Sequence, residues 1–352
     1  MLHRINAFRL RAPLVLSLSA VLAAGVIAAG CGSDDDEPAS GSSATGNQSA
    51  EMQDVNLVLP APLGIYFPSV VVAQKKFWPE AGLNVKLLPT DGSPVVAQQL
   101  VSGQQDYGML TADTLYLSNV EGSDLRGVSL MTHDDAALLS VPEDSPIRSV
   151  SELRGKSIGV TSAGDGAIPL TKVVLADAGI EEGDYKLPVI GPGGPAAAQA
   201  LKNGRVAAYA HGISDVGGME SVAKVKLRSI MPEKFVGLPG NVLGVSQKVL
   251  DDPAKKEIVK KLAEGRIAAA EYLKTNPEES YKILCDELPE QCQDEGTAKA
   301  IIARATISNG PAGSDPPGVI NLEKAQTLVD AFVKDTSIDV ATVFPQDVFA
   351  GS

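Results

Sequence analysis

An α/β fold in which one domain is interrupted by a second and then completed is predicted by three observations on the body of the chain. Short apolar runs alternate with helical patterns from Val55 to Ser246, as expected of strands joined by helices in largely parallel sheets. After Ser246 the pattern is helical only, so the strands cluster in the first two thirds. A composition of 44% hydrophobic residues over about 300 residues is enough to bury one large core or two ordinary ones.

The chain opens on a segment that does not belong to that body. Arg4, Arg9 and Arg11 make a basic n-region, residues 14–29 are apolar and uncharged, and Ala28-Ala29-Gly30-Cys31 resembles a bacterial lipobox. Residues 1–30 are therefore expected to be a signal peptide, too short for a membrane span, and Cys31 the lipid anchor. Residues 31–50 follow as a flexible tether of Ser, Gly, Asp, Ala and Asn, with no residue able to seed a core. The expected location is outside the cytoplasm, at the cell membrane.

Strands are expected at 55–59, 84–88, 106–110, 127–131, 137–141, 157–161, 186–190, 206–210 and 243–246. Between them a helix over 69–81 places Val70, Val71, Ala73, Phe77 and Trp78 along one side and ends at Gly82, where a left-handed C-cap belongs. A second over 94–101 ends the same way at Gly103. The C-terminal helices are expected at 253–275, 277–285, 298–309 and 322–334. The two crossings between domains should fall near His133 and near 241–244.

The full chain carries 30 basic and 43 acidic side chains, and a leader holding three arginines and no acid makes the body more acidic still. Nucleic acid is excluded as a partner by that balance. Cys285 and Cys292 are the cysteines left after Cys31, and in an oxidising compartment they are expected to form a disulfide around the Pro289 turn. Two thiols without a nearby histidine do not make a zinc site, and no metal or cofactor is expected.

Several segments resemble the solute-binding proteins of ABC importers, in the branch of nitrate, aliphatic sulfonate, taurine and thiamine-precursor (NMT1/THI5-like) binders. They are Gly64-Ile65-Tyr66-Phe67-Pro68, Phe77-Trp78-Pro79-Glu80-Ala81-Gly82-Leu83-Asn84-Val85, Leu100-Val101-Ser102-Gly103-Gln104-Gln105-Asp106-Tyr107-Gly108, Asp144-Ser145-Pro146-Ile147 and Glu152-Leu153-Arg154-Gly155-Lys156-Ser157-Ile158-Gly159-Val160. The resemblance implies a two-lobed, periplasmic-binding-protein-like (type II) fold, with a ligand cleft between the lobes and two hinge crossings. Lobe one is expected over 51–132 plus 246–352 and lobe two over 133–245. It also implies a monomer that captures a small molecule by closing on it, then docks on a membrane permease.

In open α/β sheets ligands sit beyond the carboxyl ends of strands, where loops lead into helix N-termini. Six loops qualify: 61–68, 90–94, 111–114, 161–166, 191–195 and 211–215. The candidate ligand-binding residues in them are Tyr66, Phe67, Gly92, Ser93, Thr111, Ala112, Asp113, Ser162, Gly164, Asp165, Gly193, Gly194 and His211. His133 is a further candidate at the first crossing. Asp91, Asp113, Asp165 and Asp215 lie at or beside strand ends, Asp134 and Asp135 lie beside the hinge, and no Arg or Lys falls in the six loops. Carboxylates repel an anion and suit an amine or a heteroaromatic base, for which Tyr66, Phe67 and Tyr209 supply aromatic faces. The expected ligand is an organic nitrogenous solute such as a thiamine pyrimidine precursor, with nitrate, sulfonate or taurine as the alternative. The same aspartates serve equally as helix N-caps.

Enzyme readings have less support. Gly191-Pro192-Gly193-Gly194-Pro195-Ala196 matches the dinucleotide pattern G-x-G-x-x-A, with Asp215 some twenty residues on, but Pro195 and export argue against a nicotinamide site. Gly212-Ile213-Ser214-Asp215-Val216-Gly217 misses the nucleophile elbow by one residue. Pyrimidine synthases that resemble these binders use a cysteine-rich iron motif that this chain lacks, and it has no Walker motif. A ligand-free sensor or interaction lipoprotein stays open as a third class.

Overall fold

The computed structural model describes residues 52–133, 138–165, 167–310, 315–332 and 338–348. The expected leader, Cys31, the tether, and Asp134 and Asp135 lie outside the described residues.

Among the described residues nine strands form two sheets. They are β1 Gln53–Leu59, β2 Leu83–Pro89, β3 Gly108–Thr111, β4 Leu125–Leu130, β5 Leu138–Pro142, β6 Ile158–Gly159, β7 Ala208–His211, β8 Leu227–Ser229 and β9 Asn241–Ser246. The first sheet has the order β2-β1-β3-β9-β4 and the second β6-β7-β5-β8. The larger sheet is thus built by residues 53–130, left, and rejoined by β9, which is the interrupted topology that the pattern predicts. The chain has the two-lobed α/β fold of periplasmic binding proteins.

The expectation of largely parallel sheets is corrected. β1 pairs parallel with β2 and β3, but β9 runs antiparallel to both β3 and β4, and β5 runs antiparallel to β7 and β8. The chain leaves the sheet at the end of β4 and returns into β9 at that same end, so the two strands run in opposite senses. Two element assignments also change. Residues 186–190 make two parallel bridges, Ser157 with Lys186 and Val160 with Val189, because Pro188 has no N–H for a ladder. β8, three residues long at a sheet edge, is too short to stand out by alternation.

The helices follow in order: α1 Pro68–Val72, α2 Trp78–Glu80, α3 Ser93–Val101, α4 Ala112–Val120, α5 Ala167–Asp177, α6 Pro195–Lys202, α7 Ile213–Ser221, α8 Gln247–Asp251, α9 Pro253–Thr275, α10 Pro277–Glu287, α11 Glu295–Ser308, α12 Leu322–Phe332 and α13 Val340–Val343. The single helix expected over 69–81 contains a π turn, Ala73–Phe77, between α1 and α2. It lies just ahead of Pro79, which cannot donate to the carbonyl four residues back. Gly82 caps it at φ 79°.

The larger sheet packs on α1 and α9. Trp78 is fully buried there, its Nε1 donates to Leu262 O (3.1 Å), and its indole fills the place a Cβ on Gly265 would take (2.5 Å). The C-terminal helices pack against elements that carry either sheet. α11 packs on α7, where a Cβ on Gly217 would lie 2.9 Å from Ile301 Cα and Arg304 pairs with Glu220 at 2.7 Å, while α12 touches both α4 and α5.

Cys285 and Cys292 are bridged, with S–S 1.99 Å and Cα–Cα 5.6 Å, across the 3-10 turn Pro289–Gln291. Replacing both by Ser is expected to lower unfolding stability by about 2 kcal/mol, the loop-closure cost of so short a ring. A urea titration of the oxidised protein against the double variant measures it.

Candidate functional site

Between the two sheets lies a cavity of about 630 Å³. The larger sheet supplies its floor at the carboxyl ends of three parallel strands: 60–62, Tyr66 and Phe67 after β1, 90–94 after β2, and Thr111, Asp113 and Thr114 after β3. Asn241, at the start of antiparallel β9, joins them from the same edge. The smaller sheet faces them with Thr161, Ser162, Gly164, Asp165, Ala167 and Pro169 after β6, and with Gly212 and Asp215 after β7. Of the expected ligand residues, Tyr66, Phe67, Gly92, Ser93, Thr111, Asp113, Ser162, Gly164 and Asp165 line the cavity.

Ala112, Gly193, Gly194 and His211 do not, and each has another task; Gly194 opens α6, its carbonyl accepting from Ala198 N (2.9 Å). Ala112 is buried and donates its N–H to Gly240 O (2.9 Å), tying α4 to the second crossing. Gly193 donates its N–H to Asp215 Oδ1 (2.7 Å), and a Cβ on it would meet the Asp215 carbonyl at 2.0 Å. Its N–H is therefore spent on a side chain and is not free to cradle a phosphate. Gly193→Ala is expected to cost about 2 kcal/mol or more in a denaturation experiment, since a backbone carbonyl cannot move aside.

His211 is fully buried, stacked on Tyr209 with ring centroids 4.7 Å apart. Its Nδ1–H donates to Gly212 O (2.6 Å), so Nε2 accepts from the Ser140 hydroxyl (3.0 Å). Burial pushes its pKa down, which keeps the ring neutral. His133 is tied to α11, its backbone N–H donating to Ser308 O (2.9 Å) and its Nε2–H to Ile307 O (3.1 Å).

The aspartates differ in how far their oxygens are used. Asp165 accepts from the N–H and hydroxyl of Thr161 and from Ala167 N (2.9 Å), closing the turn into α5. Asp215 accepts from Gly193 N and Gly212 N (3.0 Å), and burial raises its pKa. Asp91 is exposed at the rim. Asp113 is buried at 8% exposure, and its Oδ1 has no hydrogen-bond partner. Burial raises its pKa against the lowering pull of Thr111 and of backbone N–H groups at the start of α4.

A second orphan stands beside it. Asn241 donates its backbone N–H and its side-chain Nδ2 to Thr132 Oγ1 (2.9 and 3.2 Å), which leaves Oδ1 buried and unpartnered. The sequence reading missed Asn241 as a site residue, although Pro239-Gly240 before it marks the crossing. Thr111 pairs with Asn241 in the β3–β9 register, so the two orphaned acceptors belong to one corner of the cavity. Among the described residues no Lys or Arg lines that cavity. Tyr66, on the same side as Asp113, has its pKa raised by burial and then by Asp215 across the cleft.

The paired crossings close the back of the site. Met131 N and Thr132 N both donate to Asn241 O (2.8 and 3.1 Å), Gly240 N donates to Thr132 O (3.0 Å), and His133 bridges Pro239. Beneath them Arg266 of α9 is 2% exposed. Its Nη1 donates to Met131 O (3.2 Å) and Asn309 O (3.0 Å), and its Nη2 donates to Leu130 O. Burial lowers its pKa to about 10, so the guanidinium stays charged at neutral pH, with no carboxylate partner among the described residues. Those residues hold no cluster of three or more His, Cys, Asp or Glu placed for a metal ion, and no helix long and apolar enough to cross a membrane.

This cleft between two α/β lobes is that of a solute-binding protein. Residues 65–280 match the NMT1/THI5-like family model, and the chain belongs to that family. The fold is similar to the periplasmic aliphatic sulphonate binding protein of Escherichia coli (TM-score 0.62, 17% identity, covering 84% of this chain and 92% of that one). It is also similar to the alkanesulfonate-binding protein of Xanthomonas axonopodis pv. citri bound to MOPS (0.61, 20%, 85% and 100%). The periplasmic nitrate-binding protein of Synechocystis PCC 6803 matches as well (0.59, 16%, 85% and 87%). No curated protein sequence matches the chain.

Proposed function

We propose that this protein is the extracytoplasmic solute-binding component of an ABC importer and captures a small organic nitrogenous solute, of the kind a thiamine pyrimidine precursor represents. The observation that carries the ligand class is Asp113: a buried carboxylate with a free oxygen, in a cavity bordered by three more aspartates and, among the described residues, by no basic side chain. A cationic or N–H-rich ligand supplies the missing partner, whereas an anion adds repulsion. Capture follows from two lobes whose loops contact the ligand together only when closed. The closed form docks as a monomer on a membrane permease.

In this reading residues 1–30 are the signal peptide, Cys31 carries the lipid, and 31–50 are the tether. Lobe one is 51–132 with the C-terminal segment, and lobe two starts at 133. A boundary at 245/246 would cut β9 out of the sheet it pairs with, so we place the second crossing before Asn241.

A sulfonate or nitrate ligand is the second reading, favoured by the N-terminal turns of α3, α4, α5 and α7 that border the cavity. The deciding experiment is gentle extraction of the full-length protein, release of its bound small molecule and mass spectrometry. An aminopyrimidine or similar base supports the first reading. A sulfonate, nitrate or carboxylate replaces it with the second.

A further inference from the structure

Tyr66 and Phe67 form the aromatic arm of the cleft, with ring centroids 4.8 Å apart edge to face. The arm's own folding is tight: Phe67 N donates to Gly64 O (2.9 Å), and the Tyr66 hydroxyl donates to Pro62 O (2.6 Å). The Tyr66 ring lies over Gly64, where a Cβ would stand 2.1 Å from Cε1. The position of the ring is therefore set by the backbone from Pro62 to Gly64.

Among the described residues, the hydrogen bonds from the stretch 61–66 to distant parts of the chain both go to Gln291. Its Oε1 accepts from Ile65 N (3.0 Å), and its Nε2 donates to Leu63 O (3.3 Å). Gln291 is the last residue of the 3-10 turn Pro289–Gln291, and the next residue is Cys292, bridged to Cys285 on α10. An exposed glutamine gains little from water-accessible hydrogen bonds unless its backbone is already fixed. The disulfide fixes it.

We propose that Gln291 is the positioning residue of the cleft's aromatic arm, and that the Cys285–Cys292 bridge, by holding Gln291, couples the redox state of this turn to the placement of Tyr66. The inference rests on the reading that the cleft binds a solute.

Hydrogen exchange on the intact protein tests the brace without a ligand. Gln291→Ala is expected to speed exchange of the Ile65 amide about fivefold, the loss of one hydrogen bond, while amides of α9 keep their protection. Gln291→Glu keeps the acceptor and should hold Ile65 near the wild-type rate. Reducing the wild-type disulfide, or replacing both cysteines by Ser, should reproduce the Gln291→Ala pattern with Gln291 intact. The proposal is overturned by an unchanged Ile65 rate in Gln291→Ala, by loss of protection throughout α9 as well, by failure of Gln291→Glu to restore Ile65, or by a reduced protein that exchanges like the oxidised one. Titration with an aminopyrimidine cation forms a separate arm, in which Gln291→Ala should bind about fivefold more weakly with its melting temperature little changed. If that probe binds no form, the ligand reading falls and the exchange rates still decide the brace.

Discussion

Asp113→Asn is expected to weaken binding of an aminopyrimidine cation about a hundredfold, the typical cost of removing one member of a buried charge pair. The same substitution should raise the stability of the empty protein at pH 7 by roughly 1 kcal/mol, because it removes a desolvated carboxylate with an unused oxygen. The pH dependence has a definite sign. The folded pKa of Asp113 is raised by burial, so the folded state binds its proton more tightly than the unfolded chain does. Its contribution to stability is fully present below the unfolded carboxyl pKa, about 4, and is lost as pH rises through the folded value. The advantage of Asp113→Asn should therefore vanish in acid. Calorimetric titration and denaturation at two pH values measure both effects. Unchanged affinity for the cation would sink the charge argument, and tighter binding of a sulfonate would point to the second reading.

Arg266→Met is expected to cost about 4 kcal/mol. Three backbone carbonyls, those of Leu130, Met131 and Asn309, would lose their donors inside the protein at about 1–3 kcal/mol each, offset in part by removing a desolvated cation. Arg266→Lys should rescue little, because an ammonium on a single stem cannot span carbonyls from two segments as the guanidinium fork does. Because Met131 and Leu130 open the first crossing, the loss should also raise hydrogen exchange at 130–133 before it spreads. A variant as stable as the wild type would show that those carbonyls find other donors.

Much of this architecture can be read from residue order. Strands such as β1 and β2 alternate cleanly or run apolar between turn residues, and α9 is bounded by Pro253 and the Asn276-Pro277 pair, so their existence and bounds follow from local chemistry. The antiparallel insertion of β9 is not local. It depends on where the chain re-enters the sheet, which no run of six residues encodes. The cleft was legible as loops at strand ends, because the topology forces those ends together. Within the loops the sequence could not separate Asp165, used up by its own turn, from Asp113, left with a free oxygen, since both are aspartates at the entrance of a helix. His211 and Gly193 sit in the right loops but turn inward, and their partners, Ser140 and Asp215, are 71 and 22 residues away. Gln291 offered no signal at all: what marks it are two contacts with backbone 226 and 228 residues earlier.

Trp78 is the sole tryptophan of the chain, sealed against Gly265 and bonded to Leu262, and it is not one of the residues that line the cavity. Its emission is therefore expected to be that of a shielded indole and to respond little to occupancy of the cleft. A fluorescence titration is expected to register little when solute binds, whereas the same signal should follow global unfolding. Optical detection of binding needs a reporter placed elsewhere, and the tyrosine at position 66 is the natural place to put it.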